Sequence, residues 1–173
     1  MPDPVTPLDA GAAAVLRRAH VREIDPRTVY LLAKLRQDVF TLEQHADDAD
    51  LDGRELEPST ELLWIEVPDA EPVTGGLERQ PVAQLRILRD PDGTVHIGRV
   101  VVRADRRRDG FGRRLVRAAL DVALEIAPEA IVEIGAQAYL ERWYGSLGFQ
   151  TTGPKFLEAG IEHVPMRYVH PRD

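Results

Sequence analysis

Apolar positions in this chain recur with two different periods, and the switches between them mark out its elements. From the Asp25-Pro26 pair onward, Val29, Leu32, Ala33, Arg36 and Phe40 keep helical spacing. Aspartate suits an N-cap and proline the first helical position, so the spacing predicts a helix running to about Phe40. Glu43 to Glu61 is rich in Asp and Glu, contains Gly53 and Pro58, and reads mostly as loop. Leu62 to Val67 and Val82 to Arg89 read as strands, separated by the turn-rich stretch Pro68 to Pro81. Asp90-Pro91-Asp92-Gly93 is a hairpin turn into a third strand, Val95 to Arg103, so these strands run antiparallel. Farther on, Phe111, Leu115, Ala119, Val122 and Ile126 fall on one face of a helix that Pro128 ends. Ile131 to Ile134 reads as a buried strand parallel to the strand before that helix. A short helix over Tyr139 to Ser146 and strands at Phe149 to Thr152 and His163 to Val169 complete the pattern.

The predicted order is strand, helix, three antiparallel strands, helix, strand, helix, strand, strand. That is an α/β chain with one mixed sheet and helices on both faces. Residues 1–19 hold Pro2, Pro4 and Pro7 with Asp3 and Asp9 and read as a flexible tail, which leaves 20–173 as a single domain. A chain of 173 residues buries a substantial core without metal or disulfide support.

Cysteine is absent. That excludes a disulfide framework, a thiolate metal site and a cysteine acyl-enzyme, and no metal is expected. Any acyl transfer then goes directly from donor to acceptor or through another nucleophile. The apolar stretch Ala12 to Leu16 has no basic residue before it and Arg17-Arg18 after it, the wrong polarity for a signal peptide. No apolar run approaches the roughly 20 residues of a membrane span. A cytoplasmic protein without membrane attachment is the expectation.

The formal charge of −7 argues against a general nucleic-acid binder. Its distribution is uneven, because Arg103, Arg106, Arg107, Arg108, Arg113, Arg114 and Arg117 crowd one segment that holds only Asp105 and Asp109 as counter-charges. In this segment a β-branched strand, Val100-Val101-Val102, leads into Arg107-Arg108-Asp109-Gly110-Phe111-Gly112-Arg113 and the start of a helix. Phosphate suits that arrangement. A helix start presents unpaired N–H groups and partial positive charge, and two glycines let an anion approach the backbone. A P-loop is excluded, since Gly112 is followed by Arg113 and Arg114 instead of Lys and Ser or Thr. A dinucleotide fingerprint is excluded, since Leu115 stands at its last glycine. Gly145-Ser146 also misses the register of a G-x-S-x-G nucleophile elbow.

The spacing Arg107-x-x-Gly110-x-Gly112 resembles the pyrophosphate motif of the GCN5-related N-acetyltransferases, the GNAT family. Tyr139 to Phe149 is similar to a second signature, a short helix ending in Tyr-x-x-Leu-Gly-Phe. Leu35-Arg36-Gln37-Asp38-Val39-Phe40, Glu43-Gln44, Ile97-Gly98-Arg99-Val100, Gly135-Ala136-Gln137 and Gly160-Ile161-x-His163-x-x-Met166 resemble blocks of the ElaA-like subfamily. Together these cover residues 20–169, nearly the whole chain.

The resemblance implies a mixed sheet whose two central strands splay apart, with the pantetheine of coenzyme A between them. It places pantetheine amide bonds on Val100, Val101 and Val102, and pyrophosphate on Arg107, Arg108, Asp109, Gly110, Phe111, Gly112 and Arg113. Gln137 joins the coenzyme side. Tyr144 stands where the family carries its general acid, to protonate the departing thiolate. His96 lies eleven residues before Arg107, the offset of a glutamate base in histone-acetylating members, an offset that a bulge in the strand would break. Arg36, Glu43, Gln44, Arg99 and His163 fall on the acceptor side; a structural ion pair of Arg36 with Glu43 is the competing reading.

The function these readings imply is transfer of an acetyl group from acetyl-CoA to an amine, by direct attack in a ternary complex. The expected partner is a small-molecule or peptide amine, with a homodimer left open. Two alternatives remain: another acyl-CoA donor or a hydroxyl acceptor, and a non-catalytic acyl-CoA sensor. Retention of Tyr144 favours the enzyme, since a sensor has no leaving thiolate to protonate.

Overall fold

The computed structural model describes residues 14–69 and 78–170. The strands are β1 (Val15–Ala19), β2 (Glu61–Pro68), β3 (Arg79–Arg89), β4 (Val95–Val102), β5 (Val132–Gln137), β6 (Phe149–Thr151), β7 (Phe156–Glu158) and β8 (Ile161–Tyr168). The helices are α1 (Pro26–Arg36), α2 (Phe111–Ile126) and α3 (Glu141–Gly145). All strands join one sheet in the order β1-β2-β3-β4-β5-β8-β6, with β7 also on β8. Among the described residues β4 and β5 are parallel and every other pairing is antiparallel.

Three expectations need correction. Residues 15–19, read as tail, form β1 against β2, where Arg17 reaches Glu66 at 3.2 Å and Arg18 bonds Glu61. The cross-strand carboxylates neutralise both arginines and so let this segment join the sheet. The rest of that tail, residues 1–13, lies outside the described residues. The first helix loses α geometry after Arg36 and continues as a π turn over Gln37–Glu43, with the Gln44 N–H on the Val39 carbonyl at 2.9 Å. β7 has no counterpart in the sequence reading, because its three residues are all exposed and carry no burial pattern.

Burial explains the central strands. On β3, Ala83, Leu85 and Ile87 join the core beneath α2, while Gln84 and Arg86 face α1 and are also buried. A strand covered on both faces loses alternation and reads as a continuous apolar run. Gln84 satisfies its buried amide by donating to the Leu32 carbonyl at 2.5 Å. Pro81 is tolerated inside β3 because the β2–β3 register shifts beside it, at Ile65/Glu66. Under α2, Phe111, Leu115, Ala119 and Val122 pack on the sheet as their spacing predicted; the Ile126 side chain lies outside the described residues. The hairpin turn also forms, with the Gly93 N–H on the Asp90 carbonyl at 2.9 Å and Gly93 at φ 90°.

The sheet divides at its parallel pair. β4 and β5 are joined through Val95↔Val132 and His96↔Glu133, and no pairing follows. Among the described residues the β5-side edge of β4 has no strand partner from Ile97 onward. β5 instead continues its ladder with β8, out to Gln137↔His163. The two strands therefore bound a wedge that opens toward the start of α2.

Candidate active site

Gly110 caps α2 in the left-handed conformation, at φ 76° and ψ 6°, and no side chain caps the helix. Its first N–H groups are therefore directed at whatever lies beyond the helix start. A Cβ at Gly110 would meet nothing within 4 Å, so glycine is required there by backbone angle and not by crowding. At Gly112 an added Cβ would lie 3.5 Å from Trp143 and 3.6 Å from Val102, which places the β4 end, the α2 start and the α3 region in contact. Arg113 donates to the Ser146 hydroxyl at 2.9 Å, and Ser146 donates to the Trp143 carbonyl at 2.6 Å. Ser146 is thus a tie between two helices.

The clustered arginines have different situations. Arg108 is exposed with no ion pair among the described residues. Arg106 pairs with Asp109 at 2.7 Å and lies 5.6 Å over the Phe111 ring, so the Asp109 carboxylate is neutralised within the loop. Arg107, expected on pyrophosphate, turns back to the Val102 carbonyl at 3.2 Å and to Glu43 at 2.7 Å. The hydrogen bond from Arg107 holds the Glu43 carboxyl below its ordinary range. Gln44, the next residue, accepts from the Gln137 amide at 2.8 Å. Two consecutive residues at the end of the π turn thus reach both lips of the wedge. π turns interrupt helices most often at functional sites.

Tyr144 is 5% exposed and packs edge-on against Trp143 and Phe149, at 4.7 and 5.8 Å between ring centroids. Burial pushes its phenol well above the ordinary range, with a smaller contribution from Tyr139. Among the described residues its hydroxyl has no hydrogen-bond partner. His96 stands where β4 and β5 are still joined, with Nε2 bonded to Asp90 at 2.9 Å. Asp90 also accepts from Arg54 at 3.2 Å. An imidazole that donates from Nε2 to a carboxylate keeps its lone pair on Nδ1. The foreseen bulge exists, between His96 and Arg107: Gln84↔Val101 and Arg86↔Gly98 bracket one extra residue on β4. The eleven-residue offset contains that insertion. His163 is 8% exposed, donates from Nδ1 to the Ile161 carbonyl at 2.8 Å, and stacks on Phe156 at 5.7 Å.

Arg99, within the bulge, has φ 53°, which costs a non-glycine residue about 1–2 kcal/mol. Its guanidinium pairs with Asp50 at 3.0 Å and Asp52 at 3.3 Å. Arg36 does not pair with Glu43; it is 3% exposed and binds Asp50 at 2.8 Å and Glu55 at 2.6 Å. Arg86, not singled out by the sequence reading, is 4% exposed and binds Asp52 at 2.6 Å and Glu55 at 2.7 Å. These six side chains form a closed ring of alternating charge: Arg36, Asp50, Arg99, Asp52, Arg86, Glu55. Burial pushes the Asp52 and Glu55 carboxyls up, but arginine hydrogen bonds and charge outweigh it and hold both below the carboxylate range. The sequence signal was an interior-strand arginine facing an acidic loop, and its partners are 31 and 34 residues away. Asp50, Asp52 and Glu55 of the acidic stretch are thereby occupied by arginine. Among the described residues no cluster suits a metal ion, and no helix is long and apolar enough to cross a membrane.

Residues 37–170 match the Acetyltransferase (GNAT) domain family. A UPF0039 protein of Mycobacterium tuberculosis is 39% identical over 154 residues, covering 87% of this chain and 90% of that protein. The crystal structure of Escherichia coli ElaA superposes with a TM-score of 0.76 at 28% identity, covering 90% of this chain and 99% of that one. An acyl-CoA N-acyltransferase from Pseudomonas aeruginosa gives 0.75 at 31% identity, with coverage of 90% and 99%. The paired glycines at the α2 start, the parted strands beside it and these likenesses converge, and the chain belongs to the GNAT acetyltransferase family, within its ElaA-like branch.

Proposed function

We propose that this protein is a cytoplasmic acetyltransferase that moves an acetyl group from acetyl-CoA to an amine by direct attack within a ternary complex. The observation that carries the reading is the wedge: two parallel strands part after His96↔Glu133, and the uncapped start of α2 stands at its open end. The chain has residues suited to coenzyme A at each point. Arg108, Arg113 and the N–H groups from Gly110 to Arg113 would hold pyrophosphate, and the unpaired edge of β4 at Val100 to Val102 would bond pantetheine amides. The thioester supplies an activated acyl group.

Tyr144, kept protonated by its burial, donates to the departing sulfur. A phenol held so high acts mainly by hydrogen bonding, because full transfer to a thiolate of ordinary basicity, pKa about 8.5, runs uphill. His96, with Asp90 on Nε2, is the proposed base, acting from Nδ1 through water. His163 and Gln44 belong to the acceptor side, and Gln137, bonded to Gln44, to the coenzyme side. Holding donor and acceptor together supplies much of the rate acceleration.

An acetyl-CoA turnover screen against simple amines, polyamines, aminoglycosides and peptide N-termini, followed by release of free thiol, tests the proposal. Turnover with at least one amine is expected. Tight coenzyme A binding without turnover across amines, alcohols and longer acyl donors would replace this reading with that of a sensor.

A further inference from the structure

The ring Arg36–Asp50–Arg99–Asp52–Arg86–Glu55 meets one feature, the bulge on β4. Arg99 belongs to the bulge, and Arg86 is paired with Gly98 on the facing strand. Arg36 ends α1, and the three carboxylates come from the loop between the π turn and β2. Arg99 and Val100 have no register partner on β3, so their backbone groups stand outside the ladder, and the β5-side edge is free here as well. A left-handed residue at this point needs support, because an L side chain does not favour φ 53°. The Arg99 side chain provides it with three contacts: Nε with the Asp50 carbonyl at 3.2 Å and carboxylate at 3.0 Å, and Nη2 with Asp52 at 3.3 Å. Those two aspartates are in turn fixed by Arg36 and Arg86, whose forked geometry leaves little rotational freedom.

We propose that Arg99 is a positioning residue, and that the ring it closes clamps the β4 bulge so that a backbone N–H of this segment meets the acyl carbonyl. The inference rests on the acyltransferase reading above. It assigns Arg99 and Arg36 to the preorganisation of the donor site, where they had been expected on the acceptor. A backbone donor aimed at a developing oxyanion gains most when it does not have to reorganise during reaction.

The test uses the full chain and four variants. Arg99→Ala removes the clamp and leaves a residue that disfavours the left-handed region; Arg99→Asn removes the clamp but tolerates that region. Arg99→Lys keeps the charge without the fork, and Asp52→Asn weakens the ring while every residue of β4 stays unchanged. Calorimetry gives affinities for coenzyme A and for acetyl-CoA, and thiol release gives kcat and KM with an amine that the unmodified protein acetylates. The expected result for Arg99→Ala is a kcat lower on the order of 10- to 100-fold. Coenzyme A affinity is expected to stay within about twofold, with any preference for acetyl-CoA lost. Arg99→Asn recovers part of the rate, and Asp52→Asn shifts kcat in the same direction as Arg99→Ala.

Wild-type kcat in a folded Arg99→Ala protein overturns the proposal. So does a parallel loss of coenzyme A and acetyl-CoA affinity, which marks general collapse of the wedge, or equal rates in the Ala and Asn variants. An unmodified protein that binds no coenzyme A overturns the acyltransferase reading itself, and this proposal with it.

Discussion

A buried phenol and a carboxylate-bound imidazole are the two side chains whose chemistry this site makes most specific. Tyr144 lies among Trp143 and Phe149 in the core, so it is well packed whether or not it reacts. Substitution by phenylalanine keeps the ring and its packing and removes only the hydroxyl. Tyr144→Phe is therefore expected to lower kcat about 10- to 1000-fold with coenzyme A affinity nearly unchanged. Steady-state kinetics beside calorimetry checks this, and an unchanged kcat with chemistry rate-limiting returns Tyr144 to packing alone. For His96 the discriminating readout is the pH profile. Its protonated form cannot accept a proton, so kcat/KM should fall on the acid side, and His96→Ala should erase that limb. His163→Ala is the comparison. A limb that survives in His96→Ala and vanishes in His163→Ala would transfer the role of base to the buried histidine on β8.

At the scale of elements, the start of α2 is the part whose geometry is most demanding. Gly110 stands at φ 76° with open space around it, and its N–H neighbours have no cap. Gly110→Glu should leave room for the side chain, impose modest backbone strain of about 1–2 kcal/mol, and set a negative charge at the proposed pyrophosphate site. The expected outcome is a folded protein whose coenzyme A affinity drops at least about a hundredfold, by repulsion and blocked approach. Calorimetry on a variant with native circular dichroism decides it; near-normal affinity moves the phosphate site elsewhere. The π turn before Glu43 is a second such element. It adds a residue to the helical turn, and the added residue is what carries Glu43 to Arg107 and Gln44 to Gln137.

For the whole molecule, the charge ring ties α1, β3, β4 and the acidic loop into one electrostatic unit, and that unit titrates. Asp52 and Glu55 have carboxyls held below their unfolded values, so the unfolded chain binds protons before the folded one does. Their contribution to stability is present above an unfolded pKa of about 4 and is lost as pH falls through the lowered folded values. Tyr144 behaves oppositely: its raised pKa contributes stability below an unfolded value of about 10 and loses it at higher pH. Thermal melting from neutral pH to about pH 3 should fall more steeply in the unmodified protein than in Asp52→Asn. Equal slopes would mean that the ring carboxylates do not couple to folding. Removing Glu55 is costlier than a surface carboxylate would be, since buried Arg36 and Arg86 then keep one carboxylate each where they had two.

The sequence by itself determined the strand and helix segments from Leu62 to Ile134, the hairpin at Asp90-Pro91-Asp92-Gly93, the glycine-marked start of α2 at Gly110 and Gly112, and the family. Those features are local: a turn needs its glycine, and a helix its apolar spacing and a start that its backbone angles allow, all within a few residues. Tertiary structure alone decided the rest. Val15–Ala19 became a strand because Glu61 and Glu66, more than 40 residues away, neutralise its arginines. Arg36 is buried in a pairing with Asp50 and Glu55, which fold over it, and Arg107 found Glu43 across 64 residues. Charge pairing acts through space and is indifferent to separation along the chain. A cluster of arginines can therefore be read from sequence as an anion site, while which of them remain free for the anion is settled only when the carboxylates have taken theirs.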